Sequence, residues 1–267
     1  DTSSSIEVQT QFLRRRFQRD VNCVTDPVAA KRRNALNKLR ETCQILVEKS
    51  PDLMSSLFQS EFRVVLLRAA SKDPSETCRE IALSTLLYVS TIETSNDEVF
   101  LKETTQMLTQ RIGKKPFLEN SEELRLLLLK LLNALLSSKS THGVVSQLLD
   151  DLRNVLSVAV LDTFPEVKSE ALQAMILISR AIPGEVHMHI KSLVESALSA
   201  IRHQHSRIRQ KAISTAGELL LYCSEGLNSV MEKIVLPAFE RLPFDASSSV
   251  RQTAVDVLAQ CLARLES

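Results

Sequence analysis

Only 5 of the 267 residues are glycine, tryptophan is absent, and 9 Phe with 2 Tyr make up the aromatic complement. A β-rich or α/β chain of this length needs more glycine for its tight turns and phosphate-binding loops, so this one reads as nearly all helix. Its 5 cysteines (Cys23, Cys43, Cys78, Cys223, Cys261) are odd in number and far apart, with no CxxC spacing. Free, mostly buried thiols in a reducing compartment follow from that. A charge excess is also missing: 33 Lys and Arg stand against 32 Asp and Glu, for a net charge of +1, which argues against a nucleic-acid-binding domain. No run approaches the roughly 18 uncharged apolar residues that span a membrane, and no signal-peptide pattern is present. A Gly-rich phosphate loop, GxSxG, HExxH and a Cys-His signature are all absent. No catalytic, cofactor-binding or metal-ligating residue is therefore assigned, no cofactor is expected, and the chain does not read as an enzyme.

A repeat fills the space those absences leave. The segments DPVAAKRRNAL from Asp26, DPSETCREIAL from Asp73 and DTFPEVKSEAL from Asp162 share one frame: an acid, a basic residue six places on, then Ala-Leu at places nine and ten. Three further segments fit with substitutions, starting at Glu119, His203 and Asp245. Across the six registers the basic position reads Arg32, Arg79, Arg125, Lys168, Arg209 and Arg251, and the small position reads Ala35, Ala82, Leu128, Ala171, Ala212 and Ala254. The registers are 47, 46, 43, 41 and 42 residues apart.

Within the frame, apolar positions recur as on a helix that buries one side; in the second register they are Cys78, Ala82, Leu83, Leu86 and Val89. The alanine lets two helices approach closely. The acid sits at a turn, where it can accept from the free N–H groups that start the second helix of a pair, and Pro27 and Pro74 fall near that start. First helices are expected over Ile6–Asn22, Leu53–Ala70, Val99–Ile112, Val144–Leu161, Val186–Ile201 and Ser229–Leu242, with breakers at Ser50-Pro51, Thr91–Asp97, Ser137–Gly143 and Pro183-Gly184. This frame resembles HEAT repeats. The resemblance implies an all-α, right-handed solenoid of about six antiparallel helix pairs, one domain over 1–267 with pairs near 6–48, 52–90, 97–137, 143–182, 186–223 and 228–265. It also implies a ladder in which the acid of one pair meets the arginine of the next. His203 interrupts the acid column, so the fourth-to-fifth or the fifth-to-sixth junction is expected to be held differently.

From Asp151 to Leu220 the resemblance narrows. Leu161, Asp162 and Phe164, His187-Met188, Ser192-Leu193, the turn His203-Gln204-His205, Arg209, Ala212-Ile213 and Gly217 look like the HEAT-repeat dynein axonemal assembly factor family, and Ser121–Arg125 resembles the same family's corresponding helix. The likeness is best over roughly residues 121–255. It implies a cytoplasmic, non-enzymatic scaffold that helps axonemal dynein arms assemble before transport into cilia or flagella. Dynein chains, or co-assembly factors and chaperones, would be its partners. Another HEAT adaptor, a transport receptor or a phosphatase scaffold, is the alternative, although the acidic inner-helix runs of a transport receptor are absent.

Second helices line the concave side of HEAT stacks, and their outward positions select a candidate protein-binding stripe. It comprises Arg33, Asn37 and Arg40; Glu80 and Ser84; Leu126, Lys130 and Asn133; Gln173; Gln210, Ser214 and Glu218; and Gln252 and Asp256. The mixture suits protein docking rather than phosphate tracking. The helix LRLLLLKLLNALL is either tightly covered by neighbours or a greasy partner site. His187 and His189 point about 200° apart on a regular helix and cannot share an ion; His203 and His205 lie in a turn without the further ligands that zinc needs. The cluster Arg14, Arg15, Arg16 and Arg19 with Lys31, Arg32 and Arg33 gives residues 1–50 a net charge of +4, and reads as a solvated face in which Arg32 serves the basic column. Phe12 and Phe17 fall at core spacing. The chain opens on Asp1 and stops inside a helical pattern at Ser267, so it is expected to be part of a longer array. Part of the set Val250, Ala254, Val255, Leu258, Cys261, Leu262 and Leu265 would then face a missing neighbour, so the last helix is expected to fray or to self-associate, whereas the first pair has the polar side of a cap.

Overall fold

The computed structural model describes residues 15, 17–223 and 226–265, and these contain helices, 3-10 and π turns and no strand. Arg14, Arg16, Phe12 and the start of the expected first helix lie outside the described residues. The chain divides into two compact units, residues 1–111 with 119–141, and residues 112–118 with 142–267.

The first unit opens with α1 (17–23), followed by the long α2 (Ala29–Lys49). Next come α3 (Pro51–Leu57), a π turn at Phe58–Phe62 and α4 (Arg63–Lys72), then α5 (Glu76–Val89), α6 (Glu98–Ile112) and α7 (Glu122–Leu136). The π turn departs from the unbroken first helix read from the sequence. Phe58 and Phe62, which bound it, are both buried. Phe58 meets Phe100 edge-on at 5.0 Å, and Phe62 meets Phe17 at 6.2 Å.

The second unit contains α8 (His142–Val145), α9 (Leu149–Ala159), α10 (Pro165–Ala181), α11 (Ile190–Leu198) and α12 (Ser206–Leu220). It ends with α13 (Leu227–Val230), α14 (Leu236–Phe239) and α15 (Ser248–Leu265). Its first helices are likewise broken, by 3-10 turns at Ser146–Leu148 and Val186–His189 and a π turn at Met231–Val235. The last of these ends two residues before Pro237, which has no N–H to offer the preceding turn.

All six residues of the small column are buried, and so are Cys78, Ala82, Leu83, Leu86 and Val89. Each turn is built the same way. The side chain of the frame's first residue accepts a hydrogen bond from the backbone N–H two places on: Asp26 from Val28 at 2.8 Å, Asp73 from Ser75 at 2.8 Å, Glu119 from Ser121 at 3.3 Å, Asp162 from Phe164 at 2.8 Å and Asp245 from Ser247 at 2.9 Å. These turns fix the entry to each second helix.

The basic residue then locks the turn from inside the helix. Arg32 Nη1 donates to the carbonyls of Asp26 and Pro27 at 2.9 and 3.0 Å, and Arg79 Nη1 to those of Asp73 and Pro74 at 2.9 and 3.2 Å. Arg125 and Arg209 repeat the pattern on Glu119 and Asn120, and on His203 and Gln204. With Nη1 held by its own turn, the opposite edge of the guanidinium faces forward. Arg32 Nε and Nη2 take both oxygens of Asp73 at 2.7 and 2.9 Å; Arg79 takes Glu119 at 2.8 and 2.9 Å; Arg209 takes Asp245 at 2.7 and 2.7 Å. The ladder therefore runs opposite to the expected sense: the arginine of one pair reaches the acid of the next, because each acid is already pinned to its own turn.

The carboxylates register the arrangement. Burial alone would raise the Glu119 pKa, but hydrogen bonds from Arg79 and then Arg111 outweigh it and hold the group below the ordinary carboxylate range. The hydrogen bond from Arg209 does the same for Asp245, against a smaller effect of burial.

At the end of the second unit, Val250, Ala254, Val257 and Cys261 of α15 are buried, while Val255 and Leu262 are exposed. Helix α15 lies against α12 at Gly217, where a Cβ would come within 2.6 Å of Val257 Cγ2. Gly217→Ala should therefore destabilise the chain by about 1–3 kcal/mol, and Val257→Ala in the same chain should recover part of that. Unchanged thermal unfolding of the single variant would mean that this contact has slack.

Candidate functional site

The stripe read from the sequence is not one uniform surface. In the second unit most of its members are engaged with neighbouring helices or with each other. Gln210 Nε2 donates to Thr253 Oγ1 at 3.2 Å, and Glu218 accepts from Arg180 Nε at 2.9 Å. Gln252 Nε2 donates to Asp256 Oδ1 at 2.9 Å along α15. Ser214 and Asp256 are exposed and Gln173 is half-buried. Beside them Lys211 Nζ donates to Ser169 Oγ at 3.0 Å, and Arg207 pairs with Glu166.

On α7, Lys130 is exposed and Leu126 half-buried, but Asn133 is buried rather than outward. The helix carries leucine on nearly every side: Leu124, Leu128, Leu129, Leu131, Leu132, Leu135 and Leu136 are all buried. Coverage by neighbours, not a greasy partner site, accounts for its sequence. The single apolar stripe assumed in placing Asn133 outward does not exist on a helix covered so widely.

The α2–α5 face is different. Arg33, Asn37 and Arg40 on α2, with Thr77, Glu80, Ile81 and Ser84 on α5, line a groove of about 250 Å³. Five of these seven were selected from the sequence. Arg33, Asn37 and Arg40 lie at i, i+4 and i+7, one above another on one face of α2. Among the described residues neither arginine has an ion-pair partner, nor does Glu80, and Asn37 Oδ1 is buried with nothing to accept from. Unspent hydrogen-bonding capacity is thus concentrated in one place. Thr77 and Ile81, at places four and eight of the frame, were missed because the outward positions were taken at places seven, eleven and fourteen or fifteen.

The other departure lies at the fourth-to-fifth junction, where the ladder changes chemistry. Lys168 Nζ donates to the Val160 carbonyl at 2.9 Å, and His203 Nδ1 accepts the turn bond from His205 N at 3.1 Å. The fifth-to-sixth junction, Arg209 to Asp245, is ordinary. Among the described residues no three His, Cys, Asp or Glu side chains gather as a metal site, and no helix is long and apolar enough to cross a membrane. Of the basic cluster, Arg15 and Arg19 are exposed, whereas Arg32 is a buried member of the ladder.

Known proteins share this architecture and sequence. A family model described as dynein axonemal assembly factor 5-like, TPR repeats, matches residues 23–267. Dynein axonemal assembly factor 5 of Xenopus laevis is 31% identical over 261 residues, covering 96% of this chain and 29% of that protein; its Mus musculus counterpart is 30% identical, covering 88% and 27%. The chain thus spans less than a third of the length of these relatives. In fold, a computationally designed armadillo repeat protein for modular peptide recognition aligns with a TM-score of 0.65 at 15% identity over 91% of this chain and 98% of its own. An archaeal HEAT-like repeat protein from Thermococcus onnurineus aligns with a TM-score of 0.62 at 13% identity over 97% and 92%. The 41–47-residue spacing agrees with these neighbours rather than with the roughly 34 residues of a TPR.

Adjacent arginines separate the structural role from the exposed one. Arg32→Ala should cost about 3–5 kcal/mol by leaving Asp73 buried and unpaired, and Arg33→Ala no more than about 0.5 kcal/mol. Equal losses in chemical denaturation would show that ladder and groove have been confused.

Proposed function

The chain belongs to the dynein axonemal assembly factor 5-like family, and from that premise we propose that it is a non-enzymatic scaffold segment that helps axonemal dynein arms assemble in the cytoplasm. Its partners in this reading are proteins: dynein chains, or the factors and chaperones that fold them. The observation that carries the binding part is the α2–α5 groove, whose arginines, Glu80 and Asn37 Oδ1 have no partners among the described residues.

Such a groove suits a polypeptide. Asn37 lines the groove with an amide, a group that can pair with the main chain every residue carries. Arg33 and Arg40, about 10 Å apart along α2 at 1.5 Å per residue, can each hold a carboxylate, while Glu80 disfavours a uniformly acidic segment. Mixed charge of this kind selects partners and speeds encounter more than it raises affinity. The engaged stripe residues of the second unit, Gln210 and Glu218 among them, are proposed as secondary contacts.

The experiment is rescue in a multiciliated cell lacking the full-length protein. Wild-type protein should restore axonemal dynein arms, scored by electron microscopy. The full-length protein carrying Arg33→Glu and Arg40→Glu should accumulate normally yet restore fewer than half. Full rescue by that variant would remove the groove from the account, and intact arms in the unrescued cell would remove the assembly role.

A further inference from the structure

Three ladder junctions place a carboxylate opposite a guanidinium, and the fourth-to-fifth junction does not. Both members have changed there, Lys168 for arginine and His203 for the acid. The imidazole keeps one task of the acid, because Nδ1 accepts the N–H of His205 at 3.1 Å. That bond places the ring proton on Nε2, so the ring presents a donor where the other junctions present an acceptor. A second ammonium joins Lys168. Lys115 Nζ donates to the Leu161 carbonyl at 2.6 Å, one peptide beyond the Val160 carbonyl that holds Lys168 at 2.9 Å.

Both carbonyls follow the C-terminus of α9, where the helix dipole favours cations. Each ammonium has three N–H groups and spends one on these bonds. Lys168 and His203 are half-buried, Lys115 and His205 exposed, so the cluster opens to solvent. Burial, and then Lys115, lower the Lys168 pKa, with Asp162 opposing only in part. Burial and then Lys168 lower that of His203. The cluster carries positive charge that is not fully offset.

We propose that this junction is an open rung of the ladder that takes a carboxylate from outside, the Asp or Glu side chain of an acidic partner segment, held by Lys168, Lys115 and His203 Nε2–H. The argument for a carboxylate is the ladder itself: Asp73, Glu119 and Asp245 put that group opposite the basic residue at three other junctions. The site is separate from the α2–α5 groove and stands whether or not that groove binds dynein partners.

The test uses a fluorescein-labelled peptide alternating Glu and Gly, and its Gln counterpart, titrated with the chain by anisotropy at fixed ionic strength. Wild type should bind the Glu peptide about tenfold or more tighter than the Gln peptide, the factor that one charge-assisted hydrogen bond supplies. Lys168→Met should lose that preference. His203→Asp should lose it too, because the new side chain fills the rung in cis, and should raise the melting temperature, which excludes misfolding as the cause. Lys191→Met, which removes an exposed ammonium outside the cluster and the groove, should leave the preference intact. An unchanged preference in His203→Asp or Lys168→Met, equal loss in Lys191→Met, or no preference in wild type would each overturn the proposal.

Discussion

One guanidinium with two jobs organises this chain. Its Nη1 nitrogen closes the turn of its own pair by binding two carbonyls, and its opposite edge grips the carboxylate of the next turn. Arg32, Arg79 and Arg209 each do both. Turn carbonyls that no helix can satisfy, and charges too buried to stand alone, are thereby settled by a single side chain. Arginine is required because its planar fork presents both edges at once; lysine offers a point charge that serves one. Lys168 shows the consequence: its ammonium bonds to the Val160 carbonyl, and the next turn offers His203 rather than a carboxylate.

Spacing between helices follows a second constraint, close approach. The alanine column lets second helices pack side by side, and Gly217 brings α12 so near α15 that even a methyl would collide with Val257. Bonds between the side chains of neighbouring helices then decide what remains for partners. Where neighbouring second helices bond to one another, as Gln210 does with Thr253, little capacity is left over. Where they do not, as between α2 and α5, a groove with free charges results.

The repeat was legible because its chemistry recurs in single residues: a basic column without a gap, an acid before each second helix, alanines at the close contacts. The sense of the ladder was not legible. An Asp and an Arg six places apart look alike whichever neighbour each pairs with, and only the carbonyls that capture Nη1 decide it. The π turns were hidden for a related reason, since Phe58 and Phe62 fit an ordinary helix four residues apart and nothing local announces the added residue. The groove was read in part, because Arg33, Asn37, Arg40, Glu80 and Ser84 follow from helical spacing. Asn133 was misplaced because a helix apolar on most sides has no unique outward face.

Family membership places the chain among proteins named for dynein assembly, while the ladder explains how a segment with little glycine and a net charge of only +1 holds successive helix pairs in register within each unit. The most direct measurement is a double-mutant cycle on Arg32 and Asp73, using Arg32→Met, Asp73→Asn and both together in chemical denaturation. The account predicts a coupling of about 1–3 kcal/mol, above that of the exposed pair Arg180 and Glu218, which should stay below about 1 kcal/mol. Coupling at Arg32 and Asp73 no larger than at Arg180 and Glu218 would contradict it.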